Sequence, residues 1–306
     1  MRDAKNYLFL VLANVFWAGN FVVGGLVAGK VDPLYLTMMR WVVATVPLFV
    51  IAVLVERPRW RSVLAEWPKL LGLSVLGLVG YGMFTYLALL HTTPVSASLL
   101  NAVCPALIAG VAVLIARERM RPVAVLGLAL SLAGVVLVLV RFGGGALPSI
   151  GFGTGELLMV GAIVTWVTYT VAGRFLSSPP IAATAVQSLI ASVILVPAGL
   201  LSGASAPVDA PTWWGVLFIA LFPSVLSYLM WNIGVKGVGA ARAGVFLNLL
   251  PFFTALAGLF LGDVLTPMQM LGGVVIVLGV VLVSRKPKAA EAPAGPPTPV
   301  AGSRTG

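Results

Sequence analysis

Apolar stretches of about 20 residues recur along this chain, the length a helix needs to cross a hydrocarbon core roughly 30 Å thick. No soluble domain could bury so many. Of the 306 residues, 60% are hydrophobic and 9% are charged, against roughly 25% charged in an ordinary globular chain. The pattern predicts an all-α membrane protein with about ten transmembrane helices, near 7–29, 34–55, 69–91, 94–116, 123–140, 154–173, 180–202, 212–234, 240–262 and 268–284. Runs such as Val135 to Val140 are apolar throughout, which excludes barrel alternation and leaves helices to pair every backbone group in lipid. The first apolar region, behind Arg2 and Lys5, is about 23 residues long. It exceeds the 7–15 of a signal peptide and reads as a retained helix. The segment from Arg285 to Gly306, rich in Pro, Ala and Gly, is expected to be a disordered cytoplasmic tail.

The net charge of +10 invites a nucleic-acid partner, and the placement of the charges rejects one. With the N-terminus in the cytoplasm and the helices alternating, the basic residues at 57–61, 117–121, 174, 236, 242 and 285–288 all fall inside. Only Lys30 and Arg141 fall outside. This positive-inside pattern places both termini in the cytoplasm, and the expected location is a bacterial inner membrane. The expected partners are the lipid bilayer and a small-molecule substrate. Cys104 is the only cysteine, so neither an intrachain disulfide nor a cysteine metal cluster can form, and no cofactor is implied.

The chain also repeats itself at about half its length. Trp17, Asn20 and Gly24 align with Trp166, Tyr169 and Gly173; Pro33 and Arg40 with Pro180 and Gln187; Pro105 with Pro251. Glu118, Pro122, Gly127 and Gly134 align with Asp263, Pro267, Gly272 and Gly279. Five helices per half put the second copy in the membrane upside down. The loops agree, because 117–121 is basic and its counterpart 262–266 carries no Lys or Arg. The expected units are 1–145 and an inverted 146–284. Inverted repeats characterise secondary transporters, which hold substrate where the repeats meet.

These ordered residues, Trp17, Arg40, Pro105, Glu118, Pro122 and the echo Pro251, Asp263, Pro267, resemble the EamA-type family of the drug/metabolite transporter superfamily over nearly the whole chain to about Ser284. The resemblance implies ten helices and transport, frequently export, of small metabolites. In that family a Gly-Glu-Arg-x-x-Pro sequence often ends the fourth and ninth helices. Here Arg117 stands between Ala116 and Glu118, and Asp263 lacks a following basic residue.

Candidate site residues follow from helical spacing. Asn14, Trp17, Asn20, Phe21 and Gly24 share one face, as do Trp166, Tyr169, Thr170 and Gly173. Tyr81, Thr85 and Tyr86 lie on the third predicted helix, and Tyr228, Trp231 and Asn232 on the eighth. Polar groups at mid-depth need protein or water partners, so these faces should point inward. They would wall an aromatic cavity, or else serve helix packing and interfacial belts. Pro105 and Pro251 sit at matching places inside helices, each freeing the carbonyl four residues earlier. Those carbonyls belong to Asn101 and Leu247, with Asn248 beside the latter. Matched interruptions point to a binding site, and a packing kink is the alternative. Arg40 either faces the cavity and pairs a carboxylate or a protein acid, or snorkels to the outer interface with Glu156 within reach. Gln187, its counterpart, joins the candidate set. His91, the only histidine, and Glu156 are candidates for proton coupling, and an interfacial histidine is the other reading. Gly25/Gly29 and Gly258/Gly262 have the spacing of close helix packing.

An enzyme would need converging acids, a metal cluster or an activated nucleophile, and one His, one Cys and acids near helix ends cannot supply them. Gly25 to Lys30 fails the ATP-binding loop spacing, and Gly151 to Gly155 lacks the strand of a phosphate loop. With Arg40 the lone mid-helix cation, the expected function is secondary transport of neutral or zwitterionic metabolites. Apolar or aromatic amino acids are the first choice, exported or passed by facilitation. The alternatives are proton-coupled multidrug efflux and a channel-like or structural subunit.

Overall fold

Prolines set many of the helix starts. The helices beginning at Pro33, Pro94, Pro122, Pro180 and Pro267 each place the missing N–H where a helix has no partner to lose. The computed structural model describes residues 2–92, 94–101, 103–114, 122–139, 153–259 and 267–284. Glu118, Arg141, Gly262, Asp263 and the tail 285–306 lie outside the described residues. The helices are α1 (Arg2–Val27), α2 (Pro33–Glu56), α3 (Trp60–Ala65), α4 (Trp67–Ala88), α5 (Pro94–Asn101), α6 (Cys104–Leu114), α7 (Pro122–Leu139), α8 (Thr154–Gly173), α9 (Pro180–Ser202), α10 (Ala210–Val238), α11 (Ala240–Gly258) and α12 (Pro267–Ser284). The β content of the described residues is an isolated bridge between Ala28 and Val31.

Seven helices, α1, α2, α4, α8, α9, α10 and α11, are long and apolar enough to cross a membrane. The stretch 94–116, expected as one helix, is broken between α5 and α6 next to Pro105, whose ring cannot continue the helical ladder. The helices α7 and α12 are 18 residues each, at the short end of the spanning range. The short helix α3 was not expected. Its Trp60 stacks on Phe49 of α2 at 5.2 Å, while Leu64 and Trp67 beside it are exposed, as at a membrane interface.

Outward faces are apolar: Val46, Leu54, Val193, Leu201 and Trp214 are all exposed, the inverse of a water-soluble surface. The helices α1, α2, α4, α8, α9 and α10 enclose the core through the pairs α1–α10, α4–α8 and α2–α9, with α11 against α1 and α6 against α8. The helices α7 and α12 pack tightly on each other. A Cβ on Gly134 would lie 2.7 Å from the Gly272 carbonyl oxygen, and one on Gly279 would lie 2.5 Å from that of Gly127, so backbones meet where only glycine fits. That close approach is here and not at Gly25/Gly29. Gly25 faces Pro94, and Gly29 has φ +77° in the turn after α1.

Two helices widen to π geometry in their middles, α4 at Ser74–Gly80 and α10 at Phe222–Ser227. Such segments loosen backbone carbonyls and are frequent at functional sites.

Candidate functional site

The loosened turn of α4 offers its carbonyls to side chains of α10 and α2. Tyr228 Oη donates to the Gly77 carbonyl at 2.6 Å, and Trp41 Nε1 donates to Leu78 O at 3.0 Å. Around these bonds the rings close into one cluster. Trp17 meets Trp166 edge-on at 5.0 Å, Trp231 at 5.3 Å and Tyr228 at 5.8 Å. Trp166 also meets Tyr81 at 5.0 Å and Tyr169 at 5.3 Å, and Trp41 meets Tyr228 at 5.0 Å. These are the edge-to-face and tilted spacings that ring quadrupoles favour. All of these rings are buried. The centre is therefore filled by rings in contact, where the sequence leads one to expect a cavity walled by them.

Polar layers lie on either side. One turn beyond Trp17, Asn20 Oδ1 accepts from Tyr86 Oη at 2.7 Å, and Tyr86 accepts from Arg40 Nη1 at 2.9 Å. Arg40 Nε donates to Ser224 Oγ at 2.9 Å. Arg40 is 2% exposed; it neither snorkels to an interface nor bonds Glu156. In the opposite direction, Asn232 Nδ2 donates to Tyr169 Oη and to Thr184 Oγ1, each at 2.8 Å. Here a narrow cleft with about 40 Å³ of room for water is lined by Tyr169, Gln187, Trp231, Asn232, Arg174 and Lys236. Gln187 gives its backbone carbonyl to Ser74 Oγ at 2.7 Å, while its Oε1 is buried with no hydrogen-bond partner among the described residues. The indole N–H groups of Trp17 and Trp231 are in the same position.

The acids stay at helix ends. Asp32 caps α2, Asp209 caps α10, and Glu156 accepts from Thr92 Oγ1 and Gly153 N. Glu56 accepts from the N–H groups of Ile181 and Ala182, and Glu66 from those of Ser177 and Ser178. His91 is exposed in the turn after α4. Asn101 and Asn248 make no hydrogen bond or ring contact with the cluster. Asn101 Oδ1 accepts from Cys104 Sγ at 3.3 Å, and Asn248 Nδ2 donates to Ser131 Oγ at 2.6 Å. Pro251 follows a 3₁₀ turn at Val245–Asn248, and Pro105 opens α6, so both prolines stand beside interruptions at matching places. Among the described residues no group of acids, histidines or cysteines could hold a metal ion.

The model of the EamA-like transporter family matches residues 4–140 and again 153–285. The chain belongs to the EamA-like transporter family. It is thus a multi-pass membrane protein of a transporter family. It is 30% identical to an uncharacterised transporter of Archaeoglobus fulgidus, over 93% of this chain and 99% of that one. It is 28% identical to the aromatic amino acid exporter YddG of Ancylobacter novellus, over 74% of this chain and 79% of that one. A chain of known crystal structure superposes with a TM-score of 0.75 at 24% identity, covering 91% of this chain and 96% of the other, and so shares the fold.

In this EamA-like chain the sequence reading missed Trp41, Ser224 and Ser74. Ser224 was marked by its neighbour: Pro223 breaks an apolar run, and a hydroxyl after such a break has a free carbonyl to bond. Trp41 had no comparable signal beyond its place next to Arg40.

Proposed function

We propose that this protein is a secondary transporter that carries small neutral or zwitterionic metabolites by alternating access, exporting or facilitating passage of apolar and aromatic amino acids. The observation that carries the reading is the aromatic cluster at mid-depth, where Trp17 and Trp231 bury indole N–H groups that have no partner among the described residues. An unmade buried hydrogen bond costs about 1–3 kcal/mol, which a substrate oxygen would offset while its side chain stacks on the rings. The aromatic amino acid exporter among the relatives supports this substrate class.

The architecture we infer is ten spans in two inverted repeats, 1–145 and 146–284. The two separate family matches support it. So does the packing, in which α1–α10 answers α4–α8, α1–α11 answers α6–α8, and α2–α9 and α7–α12 each pair with their own counterpart. The basic loops support cytoplasmic termini and a bacterial inner membrane. Because the acids with described partners serve as helix caps, passage runs down the substrate's own gradient.

The test is uptake of labelled amino acids, nucleosides and sugars into proteoliposomes, with and without a pH gradient. The expected result is saturable uptake of an apolar or aromatic amino acid, insensitive to the gradient and weakened at least tenfold, about 1.4 kcal/mol, in Trp17→Ala and Trp166→Ala. Gradient-driven uptake would move His91 or Glu156 into the mechanism, and no uptake by folded protein would remove the substrate class.

A further inference from the structure

Among the buried charged and polar side chains of the described residues, Arg40 is the one that carries a charge. Taking a guanidinium out of water is costly unless an anion accompanies it. Its partners here are neutral: the hydroxyls of Ser224 and Tyr86 at 2.9 Å, and the ring faces of Trp41 and Tyr86 at 5.0 and 5.6 Å. Of the acids whose side chains are described, none reaches it: Asp32, Glu56, Glu66, Glu156 and Asp209 each spend oxygens on backbone N–H groups at or just before a helix start.

The hydrogen-bond count sharpens the point. A guanidinium has five N–H donors. Nε and Nη1 each give one to a hydroxyl, and Nη2 gives none to any described residue. The donors left over are those of Nη1 and Nη2, the pair that grips a carboxylate end-on with two parallel bonds. The two hydroxyls hold the plane of the fork. Among the described residues no buried acid awaits an ammonium. The unpartnered Oε1 of Gln187 is a neutral acceptor that any N–H or O–H can use.

We propose that Arg40 is the receptor for a carboxylate on the transported molecule, so that the substrate must bear a carboxylate and need not bear an amine. The inference rests on the transporter reading above and narrows it to aromatic and apolar monocarboxylates, amino acids being one subset.

The experiment uses the full chain in proteoliposomes and in detergent. Competition against labelled phenylalanine uptake, and ligand-induced shift of the melting temperature, are measured with 3-phenylpropionate, 3-phenyllactate, phenylalaninamide and phenethylamine. The two acids are expected to compete nearly as well as phenylalanine and to raise the melting temperature. The amide and the amine should be weaker by on the order of tenfold or more. Arg40→Lys keeps the cation but loses the fork, and should weaken the acids while leaving the amide and the amine unchanged. The comparison of ligands on unaltered protein stands even if that variant folds poorly. An amide that competes as well as its acid, or acids that shift the melting temperature equally in Arg40→Lys, would overturn the proposal and leave the transporter reading standing. Acids that shift the melting temperature through Arg40 without phenylalanine uptake would sustain the proposal and remove amino acids from the function.

Discussion

A proline has no N–H to give, so Pro223 leaves the Ile219 carbonyl without its helical partner in the interior of α10. Ser224 repairs the loss, donating its hydroxyl to Ile219 O at 2.7 Å and accepting from Arg40 Nε at 2.9 Å. One hydroxyl thus satisfies a backbone break in α10 and a buried cation on α2. Ser224→Ala is expected to leave a buried carbonyl and a buried N–H both unmatched, costing about 1–3 kcal/mol for each group. Ser224→Thr keeps the hydroxyl and should recover most of that. Thermal unfolding in detergent checks both, and an alanine variant as stable as the parent would sink the account. At this scale the sequence is legible where periodicity speaks: Trp17, Asn20, Trp166 and Tyr169 share faces that are buried. It is silent where a long side chain can turn either way. Position along α2 places Arg40 at a depth but does not choose between interface and interior, and that choice is made by Ser224 and Tyr86 on other helices.

Helix ends are where the two halves of the chain hold each other. The first N–H groups of a helix have no intrahelical acceptor. Those of α9 are met by Glu56 from α2, at 3.1 and 2.9 Å, and those of the preceding turn by Glu66, beside α4. Burial alone would raise the Glu66 carboxyl, but the Ser178 hydroxyl, the N–H groups of Ser177 and Ser178, and Lys69 outweigh it and hold it at about 2, below its ordinary 4.5. A carboxyl lowered in the folded state stabilises above its unfolded value, and that contribution is lost as pH falls through the folded one. Stability is therefore expected to decline from about pH 4.5 toward about 2 through this group. Glu66→Gln should melt lower at neutral pH and lose that part of the decline. Parallel melting profiles for variant and parent would show that the contact contributes nothing. The short helix α3 beside it was not legible, because six residues are too few to show a helical period. The break between α5 and α6 was foreshadowed by Pro105, since a proline inside a helix removes one bond of the ladder, although Pro47 and Pro197 do so without ending α2 or α9.

The molecule as a whole pairs each half with the other, and the glycines say how. Gly134 meets the carbonyl of Gly272, and Gly279 meets that of Gly127. These four had aligned as two sequence counterparts, Gly127 with Gly272 and Gly134 with Gly279, so exchanging the halves turns one contact into the other. That order of prolines and glycines was readable because each marks a backbone event. The closure of the rings at the centre was not, because it depends on how five helices are rotated against one another. An exchange of this kind could relate the halves by an axis along the membrane normal or by one in its plane, and only the second inverts them. The loops decide. Arg59 lies in a basic turn expected in the cytoplasm, and Ser205 lies in its counterpart after α9, which carries no Lys or Arg. In a Cys104→Ser background, free of other thiols, we expect an impermeant maleimide to label Ser205→Cys in intact cells and Arg59→Cys only after permeabilisation. Labelling of both from the same side would mean parallel halves. The basic loops would then need another explanation, and alternating access by rocking inverted repeats would lose its structural basis.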